Sequence, residues 1–397
     1  MLLCAPLLLH CGGTQPELEL AKGGVRKDPG AGSSAAVAPA PRAAPAAAPA
    51  IASAGLGEAK VDTLRGPLAP GLRGFCMHGG APLVGRPLVD TLGRLYLVTQ
   101  DGYLHAYEAD GRFRFSFTVT GTPLGSPSLR ASDNAVLLGT TARAVYGIAA
   151  DGQLSFKAHT VTPVWSGLHA RDAASVVYVG LDRYLYALSN HGAALYRVAL
   201  PGQPVGEPVV AHNGLVWVPL DTGLARMEQA RSVRRFPTPA PVDELALSAR
   251  GPFVLTAGSL WSFQPSGSAT DHGRAGTLLA DGTSVLALDG RGGGLWFPGG
   301  DPARAVALGP YEALEPSGEG GLLHGRALLP LDTGEVALLD VTNPAATSLR
   351  RSPILSESLA LAAFTPGGAR ILVTSRSGRA CLLDDPFTAP RRLGTSR

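Results

Sequence analysis

Residue types that catalyse reactions occur in this chain, but not at spacings that form a catalytic site. No H-E-x-x-H, C-x-x-C, P-loop or G-x-S-x-G pattern is present. His78-Gly79-Gly80 has the composition of an oxyanion loop, yet no nucleophile elbow accompanies it, so we interpret it as a turn. Residues 290–294 are rich in glycine but lack the strand and helix that flank a dinucleotide site, so we interpret them as a loop.

The nine histidines are scattered, and none stands at the spacing of a pair of metal ligands. An enzyme built from repeats would place carboxylates or histidines at equivalent strand ends. This chain has mostly Gly, Thr, Pro and Leu at those positions. The sequence therefore predicts a protein that is not an enzyme, with no catalytic residue, no metal site and no cofactor.

The elements that hold these residues follow one pattern, which returns about eight times. An apolar run at residues 96–99 leads through a turn at Asp101-Gly102 to an alternating run at residues 103–107. Residues 177–188 repeat this pattern, which is typical of a β-hairpin. Each copy is too small to bury its own apolar surface, so the repetition indicates a closed or stacked array of small sheets.

The spacing of the copies predicts the number of sheets. The second strands end near eight positions, 32 to 44 residues apart: Thr99, Gly139, Gly180, Pro219, Thr256, Leu288, Pro330 and Thr374. Four strands fit each interval, as in one blade of a β-propeller. We therefore predict an all-β fold, a β-propeller of eight four-stranded blades. The copy at residues 278–308 is short, so a ring of seven blades is the alternative.

Prolines mark the first strand of several blades. Residues 81–88, 122–129 and 203–210 each contain two prolines, four or five residues apart. Because proline cannot donate a hydrogen bond to a ladder, it belongs at the start of a strand or on a free edge. A short first strand that lines a central channel satisfies this restriction.

The composition indicates a large hydrophobic core and gives no sign of a polyanionic partner. Mean hydropathy is +0.14, and only 16% of the 397 residues are charged. The formal net charge is +3, and the chain has no basic run with interleaved aromatic residues. We therefore expect no binding to nucleic acid.

The N-terminal residues predict export. Residues 2–9 contain an apolar stretch that is too short to span a bilayer. Leu8 stands three residues before Cys11, and Gly12-Gly13 follow it. This segment resembles the lipobox of bacterial lipoproteins, in which the cysteine is acylated. The resemblance implies a signal-like segment at residues 1–11 and lipidation of Cys11. The alternatives are an ordinary cleaved signal and an accidental apolar start.

Residues 12–66 show no periodic apolar pattern. From Ala31 to Ala54 the chain is almost entirely Ala and Pro, and its prolines recur too often for a helix to run through them. We expect a disordered linker. After a lipid-anchored cysteine, such a linker would hold a propeller domain at residues 67–397 clear of a membrane.

The repeats resemble the pyrroloquinoline-quinone-type (PQQ-like) β-propeller repeat. Residues 175–180 and 184–188 match its second and third strands closely, and residues 101–107 match almost as well. The resemblance covers residues 80–393 and implies the propeller fold. One branch of the family, the quinoprotein dehydrogenases, binds the quinone with calcium and a pair of vicinal cysteines, which this sequence lacks. The other branch is non-catalytic and includes the propeller lipoprotein of the bacterial outer-membrane protein assembly machinery.

Two cysteines lie at opposite ends of the repeat region. Cys76 precedes the first repeat, and Cys381 lies in the third strand of the last. Because a propeller closes by bringing its two chain ends together, a disulfide between them could lock the ring in an oxidising compartment. In the chain-entropy model this bridge would stabilise the fold by about 4–5 kcal/mol. Two buried free thiols are the alternative.

Together these observations predict an exported, non-enzymatic propeller that serves as a protein-interaction scaffold in the bacterial cell envelope. We expect a monomer whose partners are other envelope proteins, and which contacts a membrane only through a lipid on Cys11. It would reside on the periplasmic face of a bacterial membrane or be secreted. The alternative is a quinone- or sugar-active enzyme that uses the central channel.

Overall fold

A computed structural model describes residues 68–229 and 232–388, and in this part of the chain the strands form eight antiparallel sheets. Each sheet contains four strands. The prediction of an all-β propeller with eight four-stranded blades is therefore confirmed, and the seven-bladed alternative is wrong. The predicted signal-like segment at residues 1–11 and the predicted linker at residues 12–66 lie outside the described residues.

The strands are numbered in chain order, and β1 (Gly74–His78) belongs to the last blade. Blade 1 contains β2 (Leu88–Val89), β3 (Leu95–Val98), β4 (Tyr103–Tyr107) and β5 (Phe113–Thr118). Blade 2 contains β6 (Pro123–Arg130), β7 (Ala135–Thr140), β8 (Ala144–Ile148) and β9 (Leu154–His159). Blade 3 contains β10 (His169–Ala170), β11 (Ser175–Val179), β12 (Tyr184–Ser189) and β13 (Ala194–Ala199). Blade 4 contains β14 (Val209–Val210), β15 (Val216–Leu220), β16 (Gly223–Gln229) and β17 (Ser232–Pro237).

The second half of the ring repeats this arrangement. Blade 5 contains β18 (Glu244–Ser248), β19 (Gly251–Thr256), β20 (Ser259–Phe263) and β21 (Ala269–Arg274). Blade 6 contains β22 (Thr277–Ala280), β23 (Val285–Leu288), β24 (Gly294–Phe297) and β25 (Val306–Ala307). Blade 7 contains β26 (Gly321–Leu323), β27 (Arg326–Pro330), β28 (Glu335–Asp340) and β29 (Ser348–Pro353), and blade 8 contains β30 (Leu359–Phe364), β31 (Arg370–Ser375), β32 (Arg379–Asp384) and β1. Three short 3-10 turns interrupt the loops at Pro298–Gly300, Pro302–Arg304 and Pro344–Ala346.

Within each blade the strands pair in chain order, except that β1 adds to the outside of β32 in blade 8. The first strand is innermost and is often very short: β2, β10 and β14 contain two residues each. In these three blades a single bridge precedes the first strand, pairing Leu83 with Thr99, Val164 with Gly180 and Pro204 with Leu220. The prolines of these segments thus lie where few ladder hydrogen bonds are needed.

The hydrophobic core consists of eight clusters, and each lies between two neighbouring blades. Trp217 of blade 4, for example, shares a cluster with Val254 of blade 5. One cluster joins Met77 and Leu382 of blade 8 to Leu97 of blade 1. The eight interfaces therefore form a closed circle, and each blade buries its faces against both neighbours.

The structure of blade 6 explains why the repeat at residues 278–308 is shorter than the others. The glycine-rich residues 290–294 lie between β23 and β24, and the last of them, Gly294, is the first residue of β24. They form the predicted loop, but this loop lies inside a blade that still has four strands. The outermost strand of this blade, β25, has only two residues, which accounts for the shortened interval.

Among the residues that the structure describes, no helix has the length and apolar character needed to cross a membrane.

Candidate functional site

The first strands of the eight blades surround a central channel that contains a cavity of about 1140 Å³. Every blade contributes to its wall, from Leu88 of blade 1 to Phe364 of blade 8. The wall is mixed in character, because both apolar strand residues and charged side chains line it. The channel is therefore a space in which a polar ligand could be held.

Three glutamates line this channel from the segments that begin blades 4, 5 and 7. Each is the third residue after a proline: Glu207 after Pro204, Glu244 after Pro241, and Glu319 after Pro316. The corresponding residue of blade 2, after Pro123, is Ser126. In the sequence, a Pro-x-x-Glu pattern in the segment that begins a blade thus indicates a carboxylate in the channel wall.

Glu207 reaches from blade 4 to the two preceding blades. Its Oε1 accepts a hydrogen bond from the backbone N–H of Ser126 at 2.6 Å, and its Oε2 lies 3.4 Å from Nε2 of His169. Gly167 leaves room for the carboxylate, because a Cβ there would lie 2.9 Å from Oε2. Burial raises the pKa of Glu207, but the His169 ring and the Ser126 N–H outweigh it and hold the pKa below its ordinary value of 4.5.

Glu244 has the opposite electrostatic environment. Burial raises its pKa, and the negative charges of Asp243 and Glu319 raise it further, against a hydrogen bond of 2.9 Å from the backbone N–H of Leu278. Glu319 accepts a hydrogen bond from Nη1 of Arg86 at 3.1 Å. The channel wall therefore contains carboxylates whose pKa values are moved apart by their surroundings, the arrangement that separates an acid from a base.

Sequence reasoning missed these channel residues because it examined the ends of the second strands. The ends of those strands do carry Gly, Thr, Pro and Leu, whereas the channel is lined by first strands. Among the described residues, no group of three or more His, Cys, Asp or Glu side chains is placed to hold a metal ion.

A second surface is the upper face, which we define as the turns between second and third strands together with the loops that connect successive blades. The turn at Asp101-Gly102 and the segment at residues 219–223 lie on this face. The turn at Asp151-Gly152 connects a third strand to a fourth strand and lies on the opposite face. The predicted turns are thus divided between the two faces of the ring.

Blade 3 presents exposed apolar side chains on the upper face. Val161 is 70% exposed in the loop that enters blade 3, and Leu181 is 53% exposed in its second turn. The backbone N–H of Leu181 donates to the carbonyl of Pro163 at 3.2 Å, so turn and loop lie side by side. Val205 is 40% exposed in the next inter-blade loop. We call these three residues the blade 3 patch.

The blade 3 patch is a departure from the repeat. The turn residues that donate the same backbone hydrogen bond to the entering loop are Gln100, Thr141, Leu181 and Asp221 in blades 1 to 4. Two residues before the proline of that loop, the four blades have Gly80, Gly121, Val161 and Gly202. Only blade 3 of these four is apolar at both positions, so the ring itself does not require this patch.

The structure places the predicted cysteine pair together. Cys76 and Cys381 are a register pair between β1 and β32, and their Sγ atoms are 2.05 Å apart in a disulfide. Both side chains are buried. Cys11, the predicted lipidation site, lies outside the described residues and stays a prediction.

The predicted turn at residues 78–80 leads from β1 toward blade 1. The backbone N–H of Gly80 donates to Nδ1 of His78 at 3.0 Å, while Nε2 of His78 lies 3.1 Å from the carbonyl oxygen of Ser377. These contacts hold the segment against blade 8. The two ring nitrogens of His78 are thus both engaged in contacts with backbone groups.

Comparison with known proteins supports the PQQ-like resemblance. The sequence profile of the family described as "Outer membrane protein assembly factor BamB" matches residues 144–298. This match covers part of blade 2, all of blades 3 to 5 and the inner strands of blade 6. No curated protein sequence matches the chain.

Two solved structures share the fold. BamB from Moraxella catarrhalis superposes with a TM-score of 0.61 at 12% sequence identity, over 80% of this chain and 99% of that chain. Virginiamycin B lyase from Staphylococcus aureus, solved in selenomethionine-substituted form, superposes with a TM-score of 0.53 at 10% identity, over 79% of this chain and 99% of that chain. At these identities the likeness is one of fold.

Proposed function

We propose that this chain is a non-enzymatic, exported β-propeller that acts as a protein-interaction scaffold in the bacterial cell envelope. The observation that carries the proposal is the blade 3 patch. Its three apolar side chains stand in water on loops of a rigid ring. At the positions of two of them, Val161 and Leu181, blades 1, 2 and 4 have glycine or polar residues. Loops on a rigid scaffold are the usual place for recognition.

The physical reason is the free energy of apolar surface. Burial of an apolar side chain in a contact is favourable by about 25 cal/mol for each Å² removed from water. Val161 and Leu181 contribute nothing to the core clusters of the described ring, so their apolar character is explained by a partner better than by folding. The match to the family of an outer membrane assembly factor supports a protein partner in the envelope.

The proposed location follows from the N-terminal residues. A lipid on Cys11 and the Ala/Pro-rich linker would place a monomeric propeller at the periplasmic face of a membrane. Without acylation, cleavage after a signal segment would release it as a secreted protein. Incorporation of labelled palmitate into the wild type and not into Cys11→Ser separates these two locations.

Crosslinking and mass spectrometry on intact envelopes test the scaffold function. With the wild type we expect crosslinks from upper-face residues to one or a few envelope proteins. Leu181→Asp should remove them, while Thr141→Asp, at the equivalent exposed position of blade 2, should leave them unchanged. Equal crosslinking by both variants would count against a patch-mediated scaffold.

A quinone- or sugar-active enzyme is the second candidate, and the channel is the observation that favours it. His169 and Glu207 lie 3.4 Å apart in the wall of a cavity of about 1140 Å³, and one of the structures with this fold is a lyase. A thermal-shift screen with pyrroloquinoline quinone plus calcium, and with sugars, tests it. A clear rise in melting temperature that Glu207→Gln abolishes would favour the enzyme over the scaffold.

A further inference from the structure

The outermost strands of the ring carry a strong excess of positive charge. The seven fourth strands of blades 1 to 7 and β1 contain eight Lys or Arg residues and a single acidic residue, Asp271. The basic residues are Arg114, Lys157, Arg197, Arg234, Arg235, Arg274, Arg350 and Arg351. The whole chain is nearly balanced, with 34 basic and 31 acidic residues. The positive charge is therefore concentrated on the outer rim.

Three of these basic residues lie on consecutive blades and are not neutralised. In the described part of the chain, no carboxylate lies within 4.0 Å of Lys157 in blade 2, Arg197 in blade 3 or Arg235 in blade 4. All three side chains are exposed. Blade 1 differs, because Glu108 neutralises Arg114 at 2.7 Å. Arg274 of blade 5 and Arg350 of blade 7 likewise have no carboxylate within 4.0 Å among the described residues. We call Lys157, Arg197 and Arg235, which lie on three consecutive blades, the rim cations.

Aromatic rings hold two of the rim cations in place. The Nζ atom of Lys157 lies 5.2 Å from the centroid of the Tyr146 ring, and the guanidinium of Arg197 lies 5.0 Å from that of Tyr184. Such cation–π contacts orient a basic side chain without removing its charge. The positive charge of blades 2 and 3 thus stands at fixed places on the rim.

Large apolar side chains are exposed on the same strands. Phe113 of β5, Leu154 of β9 and Leu195 of β13 are each about half exposed. Contacts between the blades make this part of the rim continuous: Phe115 of blade 1 packs against Gly152 of blade 2, and Phe156 of blade 2 against Gly192 of blade 3. The rim of blades 2 and 3 therefore carries both exposed apolar side chains and unpaired cations, with Phe113 of blade 1 and Arg235 of blade 4 on either side.

We propose that the outer rim around blades 2 and 3 docks on an anionic lipid surface, with Phe113 of blade 1 and Arg235 of blade 4 at its margins. Apolar side chains that stand beside unpaired cations fit the boundary between acidic headgroups and acyl chains, because they enter it while the cations bind the headgroups. A nucleic acid or an acidic polysaccharide would use the cations but would leave the exposed aliphatic side chains in water. The combination of Leu154 and Leu195 with the rim cations therefore favours lipid.

This contact is distinct from the blade 3 patch and does not depend on a protein partner. It changes the earlier expectation that a membrane is contacted only through a lipid on Cys11. A ring that rests on its rim stands upright at the membrane, so that the upper face is turned sideways and its loops stay accessible. Docking of the rim and binding of a protein are thus compatible.

Co-sedimentation with lipid vesicles tests the proposal. The full-length chain is used with Cys11→Ser, so that no acyl group can attach. It should bind vesicles of phosphatidylcholine mixed with phosphatidylglycerol and not vesicles of phosphatidylcholine alone, and binding should fall with salt. The triple variant Lys157→Gln, Arg197→Gln, Arg235→Gln should lower the partition coefficient on the order of 100-fold, because each basic residue near such a surface contributes about a factor of 5.

Matched variants separate this contact from charge alone. Arg143, Arg183 and Arg304 are exposed at other places on the ring, and changing all three to Gln removes the same charge. This control should keep nearly full binding. Leu154→Ser with Leu195→Ser should weaken vesicle binding at least several-fold and leave heparin binding unchanged. All variants change exposed side chains, and their melting temperatures should equal that of the parent.

Three results would overturn the proposal. The first is an absence of binding to the anionic vesicles. The second is an equal loss of binding in the rim variant and in the control, which would indicate a general charge effect. The third is vesicle binding that is unaffected by the two leucine substitutions, which would identify the rim as a site for polyanions.

Discussion

Cys76 and Cys381 are separated by 305 positions in the chain, yet they face each other across two antiparallel strands with Cα atoms 4.0 Å apart. Both lie in the cluster that joins blades 7 and 8. The strand that completes the last blade thus comes from the opposite end of the described chain. A bond between these cysteines would fix the closure of the ring covalently, as an oxidising compartment permits.

We predict that this disulfide forms in the exported protein. The chain has four cysteines, so a variant with Cys4→Ser and Cys11→Ser retains only Cys76 and Cys381. Denatured without reductant, it should react with no equivalents of a thiol reagent, and after reduction with two. Two reactive thiols before reduction would show that these residues are free.

The same bond should contribute to stability. Cys76→Ser with Cys381→Ser is expected to lower the free energy of unfolding by about 2–4 kcal/mol, because it removes a constraint on the unfolded chain. Urea titration of the oxidised protein and the variant measures the difference. The reduced wild type is the control and should resemble the variant. An unchanged midpoint in the variant would contradict the prediction.

A close backbone contact near the channel predicts that one added methyl group, that of an alanine in place of Gly125, lowers the stability of the fold strongly. Gly125 has a φ of +68°, and a Cβ there would overlap the backbone of Gly167 in the loop that enters blade 3. Gly290 has a similar φ of +73° but open space around it. Gly125→Ala should therefore destabilise by about 3 kcal/mol or more, and Gly290→Ala by about 1 kcal/mol, the cost of the left-handed conformation alone. Equal losses in thermal melting would refute the contact.

Glu207 should stabilise the ring above acidic pH. Its pKa in the folded protein is lowered, so its contribution is fully present above 4.5, the ordinary value, and is lost as pH falls through the folded pKa. Glu207→Gln should cost about 1 kcal/mol at pH 7, because the Ser126 N–H loses a charged acceptor. In urea titrations the difference should vanish well below pH 4.5. A constant difference across this range would exclude the carboxylate as its cause.

Glu244, at the same spacing from a proline in the next blade, should behave in the opposite way. Its pKa in the folded protein is raised, so its charge destabilises the ring above that pKa, and the penalty is absent below 4.5. Glu244→Gln is expected to stabilise by a few tenths of a kcal/mol at pH 7, since water in the channel screens the charge, and not at all at pH 4. Destabilisation at pH 7 would contradict this account.

The fold could be predicted from the sequence because its signal is local and repeated. Each blade is a run of short strands that needs its neighbours, and the period near 40 residues shows how many blades there are. The prolines of residues 81–88 and 203–210 predicted short inner strands, since proline cannot donate a hydrogen bond to a neighbouring strand. Even the meeting of Cys76 and Cys381 followed from the closure of the ring, although their exact register did not.

The channel residues could not be predicted in the same way. Whether Glu207 faces the channel depends on the register of a two-residue strand, β14, and on a single bridge at Pro204. A shift by one residue would turn its side chain away. Val161 and Leu181 were missed for a different reason, because apolar residues are read as core unless the structure shows their exposure.

Site-specific photocrosslinking in living cells tests the proposed scaffold function most directly. A photoreactive phenylalanine analogue is placed at position 181 of the blade 3 patch or at position 141 of blade 2. We predict a discrete adduct with an envelope protein from position 181, which disappears when Val161→Asp and Val205→Asp are added, and no adduct from position 141. Identical patterns from both positions, or an adduct that survives the two Asp substitutions, would contradict the account.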